Sequence, residues 1–88
     1  MIVVKGLIWD DWNKEHIAKH GISVEEVEEV FHGEYQTVES YRSRIQTIGK
    51  TKKGRKLVII ISPEDRNFIK YRKGTYYPIT AFEKGTAI

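Results

Sequence analysis

Five consecutive large aliphatic residues, Leu57-Val58-Ile59-Ile60-Ile61, constrain this chain more than any other feature. The run shows no alternation and is too short for an amphipathic helix, so it predicts a central strand shielded on both faces. Eighty-eight residues leave room for one core only, so the rest of the chain must be built around that strand. Hydrophobic residues make up 40% of the chain, enough for an ordinary globular core, and a single domain over residues 1–88 is expected.

The flanking patterns supply partners for it. Residues 2–9 are rich in β-branched and large apolar side chains and read as a strand. Asp10 or Asp11 then stands where a helix N-cap belongs, and Gly21 suits the left-handed residue that stops the helix after His20. A second helix is announced by Ser23-x-x-Glu26, a capping box, followed by Val24, Val27, Val30 and Phe31 on one stripe. His32-Gly33 ends it. From Tyr35 onward short strands are expected over about 35–40, 43–50, 56–62 and 75–82. Thr51-Lys52-Lys53-Gly54 joins two of them as a hairpin, and Pro78 places the last strand at an edge or a bulge. The order β-α-α-β-β-β-β predicts an α+β fold with two N-terminal helices packed on an antiparallel sheet.

Charge divides by sign along the chain. Residues 1–40 carry a net −6 and residues 41–88 a net +9, which suggests one surface that attracts polyanions. The chain has no cysteine, so disulfides and thiolate metal sites are excluded. No apolar run is long enough to span a bilayer and residues 1–5 lack a signal-peptide pattern, so a cytoplasmic location without membrane partners is expected.

Several segments together resemble a known family. Trp9-Asp10-x-x-Asn13-x-x-His16-Ile17-Ala18-Lys19-His20-Gly21-Ile22, followed by Glu25-Glu26-Val27-Glu28-Glu29-Val30-Phe31, is similar to the opening of BrnT-type toxins. Arg44, then Gly49-Lys50-Thr51-x-x-Gly54-Arg55-x-Leu57, resembles the family's central hairpin, and Tyr76-Tyr77-Pro78-Ile79-Thr80-Ala81 its last strand. The resemblance implies a RelE/ParE-like fold and a small, metal-independent endoribonuclease toxin that cleaves RNA by 2′-hydroxyl attack. It also implies a BrnA-like, ribbon-helix-helix, DNA-binding antitoxin as cognate partner, with assembly as a homodimer or a heterotetramer with the antitoxin. Two departures stand out: Phe82 occupies the position where the family's last strand carries arginine, and a basic C-terminal helix has no counterpart up to Ile88. Arg66, Lys70, Arg72 and Lys73 can replace the missing charge.

Such chemistry needs proton transfer and a cationic clamp on the phosphate, and no cofactor. Arg44 and Arg55 are the first choices for the clamp, because a guanidinium grips two phosphate oxygens at once. The alternative is that each is a surface residue paired with a glutamate of the acidic half. Lys50, Lys52 and Lys53 suit electrostatic steering of RNA. Tyr71, Tyr76 and Tyr77, with Arg72 nearby, can stack on unpaired bases, although at least one of the three is expected in the core. His16 is the histidine best suited to acid–base work, the alternative being a structural helix residue. His16 and His20 lie one turn apart, but no further ligand cluster supports a metal. Trp9 and Asp10 read as a core anchor and a cap. Two rival functions remain: a decayed, non-catalytic toxin that binds protein or RNA on the same fold, and a DNA-binding regulator. The four glutamates of the second helix, which would repel phosphate, count against the regulator.

Overall fold

The computed structural model describes residues 2–85, the side chain of Tyr41 aside. The elements are β1 (Gly6–Leu7), α1 (Asp11–Ala18), α2 (Val24–His32), β2 (Tyr35–Glu39), β3 (Ile45–Lys50), β4 (Lys56–Ser62) and β5 (Thr75–Glu83), with a tight turn at Tyr41–Ser43 between β2 and β3. One five-stranded sheet results, in the order β1-β5-β4-β3-β2. The fold is α+β, as the element order predicts.

Both helices start as their sequences dictate. Ser23 and Glu26 close a reciprocal capping box on α2, and Asp10 and Asn13 close another on α1. The apolar stripe of α2 (Val27, Val30, Phe31) and Ile17 of α1 join Ile45, Leu57, Ile59, Ile61 and Ala81 of the sheet in one core. Gly49 of β3 lets α2 settle close, since a Cβ there would fall 2.7 Å from Val30 Cγ1. The β3–β4 hairpin turns at Lys52-Lys53, and Gly54 takes φ +88°, a conformation open to glycine at no steric expense.

β4 is central, between β3 and β5. Its two faces differ, however. Leu57, Ile59 and Ile61 are fully buried under the helices. Val58 and Ile60 point to the other face, which no helix covers; Val58 is shielded by its sheet neighbours Ile48 and Phe82, with which it is in register. Pro78 sits beside a register shift at Ile60/Ile61, the bulge position its missing N–H requires.

The first strand departs from expectation. Only Gly6–Leu7 of residues 2–9 form a strand, and it runs parallel to β5, so the sheet is not wholly antiparallel. The cause lies in hydrogen-bond partners. Lys5 N and Gly6 N both donate to Gly74 O, and Val4 N donates to the Tyr35 hydroxyl rather than to a strand. The segment is a strap across the sheet edge, with Ile2, Val4 and Leu7 packed against the core. Among the described residues no helix is long and apolar enough to cross a membrane.

Candidate functional site

A cleft of about 530 Å³ opens where the start of α1, the β2–β3 turn, the end of β4 and the 63–74 loop meet. The β2–β3 turn brings Arg42 and Arg44, the loop brings Arg66, Phe68 and Tyr71, the start of α1 brings Asp10 and Trp12, and β5 brings Tyr77. Residues far apart in sequence thus share one surface, with Tyr77 bonded directly to Asp10 across 67 positions.

Two of the segments that shape this cleft hold non-glycine residues in the left-handed region. Arg42 and Ser43 take φ +60° and +63° in the β2–β3 turn, and Phe68 takes φ +63° in the loop. Such conformations cost about 1–3 kcal/mol each and persist only where surrounding contacts enforce them. At Phe68 the enforcing contacts come from Asp65. Its carboxylate accepts from Asn67 N and Ile69 N, its backbone N–H donates to Ile69 O, and its carbonyl accepts from Phe68 N.

The polar centre is Tyr77–Asp10. The Tyr77 hydroxyl donates to both Asp10 carboxylate oxygens, at 2.8 and 2.9 Å. Burial, then this bond and the Asp10 charge, push the Tyr77 phenol up to about 12, against the opposing influence of Arg66. It therefore stays protonated at neutral pH, with its single O–H engaged by Asp10. Asp10 moves the other way. The Asn13 backbone N–H chiefly holds its carboxyl below the ordinary value, with the Tyr77 bond and Arg66 assisting against partial desolvation. Arg66 also stacks over Trp12, 5.1 Å from the ring centroid. Formally the cleft is balanced, its three arginines facing Asp10, Glu64 and Asp65. Asp10 and Asp65 are already occupied as hydrogen-bond acceptors within their own segments.

The structure brings some of the expected residues together and separates others. Arg44, Arg66 and Tyr71 line the cleft. Arg55 does not. It lies at the far end of the β3–β4 pair, roughly 20 Å away along the strands. There its guanidinium donates to Glu26 at 2.7 Å, to Gly21 O at 3.2 Å and to Glu83 at 3.4 Å. This ties α2 to β5 and the α1–α2 turn, so Arg55 is a structural clamp, the alternative that pairing with the acidic half foresees. Lys50, Lys52 and Lys53 are exposed at that same end, and Lys52 N donates to Glu29. The positive half of the chain is thus divided between two ends of the sheet instead of gathering on one surface.

His16 lies outside the cleft as well. Its ring stacks on Trp12 at 4.9 Å and 8°, and meets His20 edge-on at 5.6 Å. Tyr76 packs against the core, which makes it the tyrosine expected there. Lys70, Arg72 and Lys73 are exposed beside the cleft but do not line it. Sequence reasoning missed Trp12, Arg42 and Phe68. A signal for Trp12 existed: it lies off the buried Asn13–Ile17 stripe of a short helix and is 46% exposed. Among the described residues no group of three or more histidine, aspartate and glutamate side chains forms a metal cage.

Two carboxyls, Glu26 beside Arg55 and Asp10 in the cleft, give folding a pH dependence. For Glu26, partial burial raises the carboxyl, but the Ser23 backbone N–H and the Arg55 guanidinium outweigh it and hold it low. Asp10 is low too, so both carboxyls are more acidic folded than unfolded. Their stabilisation is present above the ordinary carboxylate range of about 3.9–4.3 and is lost as pH falls through the folded values. Thermal midpoints measured from pH 7 to pH 3 are expected to drop most steeply below about pH 4. Glu26→Gln should start lower at pH 7 and show a shallower drop.

No protein-family model, curated protein or solved structure matches this chain.

Proposed function

We propose that this chain is a metal-independent endoribonuclease of the BrnT toxin type, on a RelE/ParE-like fold, with the Arg44–Arg66–Tyr77 cleft as its active site. The observation that carries the proposal is the convergence, in one cleft, of guanidinium groups from two separate loops with a phenol that keeps its proton at neutral pH. The family resemblance of the α1, hairpin and β5 motifs supports it independently.

In the proposed reaction the 2′-hydroxyl loses its proton to solvent, its oxygen attacks the adjacent phosphorus to form a P–O bond, and the bond to the 5′-oxygen breaks to leave a 2′,3′-cyclic phosphate. Arg44 and Arg66 offset the extra negative charge of the pentavalent phosphate, which a fixed cation in a cleft does at no reorganisation cost. Tyr77 turns its O–H from Asp10 to the departing 5′-oxygen, gives up that proton, and regains one from solvent. Phe82 pairs with Val58 toward the opposite end of β4, so the position where the family carries arginine lies outside this cleft. His16, outside the cleft, takes no part in the reaction proposed.

The cognate antitoxin finds a matching surface on the helix-free face of the sheet. Val38, Ile48, Val58, Ile60 and Phe82 share that face, and the Lys50–Lys56 pair borders one end. An apolar antitoxin segment with flanking acidic residues complements it. A non-catalytic binding module is the second reading, favoured by the equal numbers of arginines and carboxylates in the cleft.

Incubation of the purified chain with unstructured RNA in excess EDTA separates the two. Accumulation of fragments with cyclic-phosphate ends supports the nuclease; RNA that stays intact while bound supports the module. RNA that is neither cut nor bound overturns both RNA readings.

A further inference from the structure

We infer that Phe68 is a stacking platform for an unpaired nucleobase at the mouth of the cleft, so that the strand accepted is single-stranded RNA and not a duplex. The inference rests on the RNA reading of the cleft and specifies which form of RNA it takes.

Phe68 is 72% exposed, although phenylalanine is among the residue types most often buried. Its backbone is held at φ +63°, which for a bulky side chain is a genuine outlier. The bonds made by Asp65 fix that conformation, and Tyr71 N donating to Pro63 O closes the loop behind it. The loop is therefore pinned by hydrogen bonds at the point where it presents an apolar ring to solvent. Asparagine or glycine would accept this backbone more readily than phenylalanine does. The neighbouring Trp12 ring is already covered, by His16 stacked on it and Arg66 lying over it, which leaves Phe68 as the ring open to a base.

The chemistry around the ring selects the ligand. Aromatic faces beside guanidinium groups are the combination by which proteins hold single strands: cations track phosphates, and rings take bases of any identity. A duplex keeps its bases stacked on one another and offers this ring nothing but phosphate. A protein docking on Phe68 and the exposed Ile69 would gain from apolar contact but would leave the arginines of the cleft facing no phosphate.

The test measures binding of a short 2′-O-methyl RNA, which cannot be cleaved by 2′-hydroxyl attack, as a single strand and as its duplex. Wild type is expected to prefer the single strand. Phe68→Asn, which suits the left-handed backbone, should weaken single-strand binding roughly 5- to 150-fold without lowering the thermal midpoint, and Phe68→Tyr should restore it. Equal affinity for both forms, or wild-type affinity in Phe68→Asn, overturns the platform even if unmodified RNA is still cleaved. Loss of a protein partner in Phe68→Asn with RNA affinity intact overturns it in favour of a docking surface. Absence of any RNA binding or cleavage by wild type removes the underlying reading instead.

Discussion

Replacing Arg44 by alanine is expected to lower RNA cleavage by about 10²–10³-fold, the scale of losing one preorganised charge donor in an active site. The thermal midpoint should stay within about 4 °C of wild type, because Arg44 is exposed and lies just outside β3. Arg55→Ala is expected to do the reverse. Its guanidinium holds Glu26, Glu83 and Gly21 O together, so its removal loosens α2 and lowers the midpoint more than Arg44→Ala does. Cleavage per folded molecule should then remain near wild type, since Arg55 is roughly 20 Å from the cleft. In an inducible bacterial host, Arg44→Ala should abolish growth arrest while Arg55→Ala retains it at equal soluble yield. Equal loss of cleavage in both variants would show that the cleft is not the reacting centre.

Asn13→Ala should produce the largest loss of stability. Asn13 is fully buried, and its amide donates to Ile8 O at 2.9 Å and to Pro78 O at 3.1 Å. Its side-chain oxygen accepts from Asp10 N, completing the α1 capping box. One side chain therefore serves the end of the N-terminal strap, the β5 bulge and the helix start. Without it two carbonyls lose their donor, at about 1–3 kcal/mol each, and the helix loses half of a cap. A total of roughly 3–5 kcal/mol is a large share of the 5–15 kcal/mol that a typical domain has. Urea titration followed by circular dichroism measures it, and a loss below about 1 kcal/mol would contradict the role. Activity should fall along with stability, because the same bonds place Asp10 under Tyr77.

Much of the fold was legible because its signals are local. The α2 capping box, the glycine of the hairpin and the unbroken run of β4 each act within a few residues, and each element forms where those residues put it. The strap was less legible: residues 2–9 have strand composition, but hydrogen bonding there depends on which distant carbonyls come within reach, and only Gly6–Leu7 find a ladder. Arg44 and Arg55 show the same limit for function. Both are arginines beside β-strands of one hairpin, and nothing local distinguishes them. Glu26 and Glu83, far from Arg55 in sequence, are what make it structural.

By itself, then, the order of residues determined the elements, their caps and the core stripe, since those follow from propensity and periodicity within a turn or a strand. Tertiary packing alone decided which charges meet. It drew Asp10 and Trp12 from the acidic half to Arg44, Arg66 and Tyr77 of the basic half, and sent the lysines of the hairpin to the opposite end of the sheet. Electrostatic and hydrogen-bonded sites depend on distances of a few ångströms between remote segments, and a linear pattern does not contain those distances.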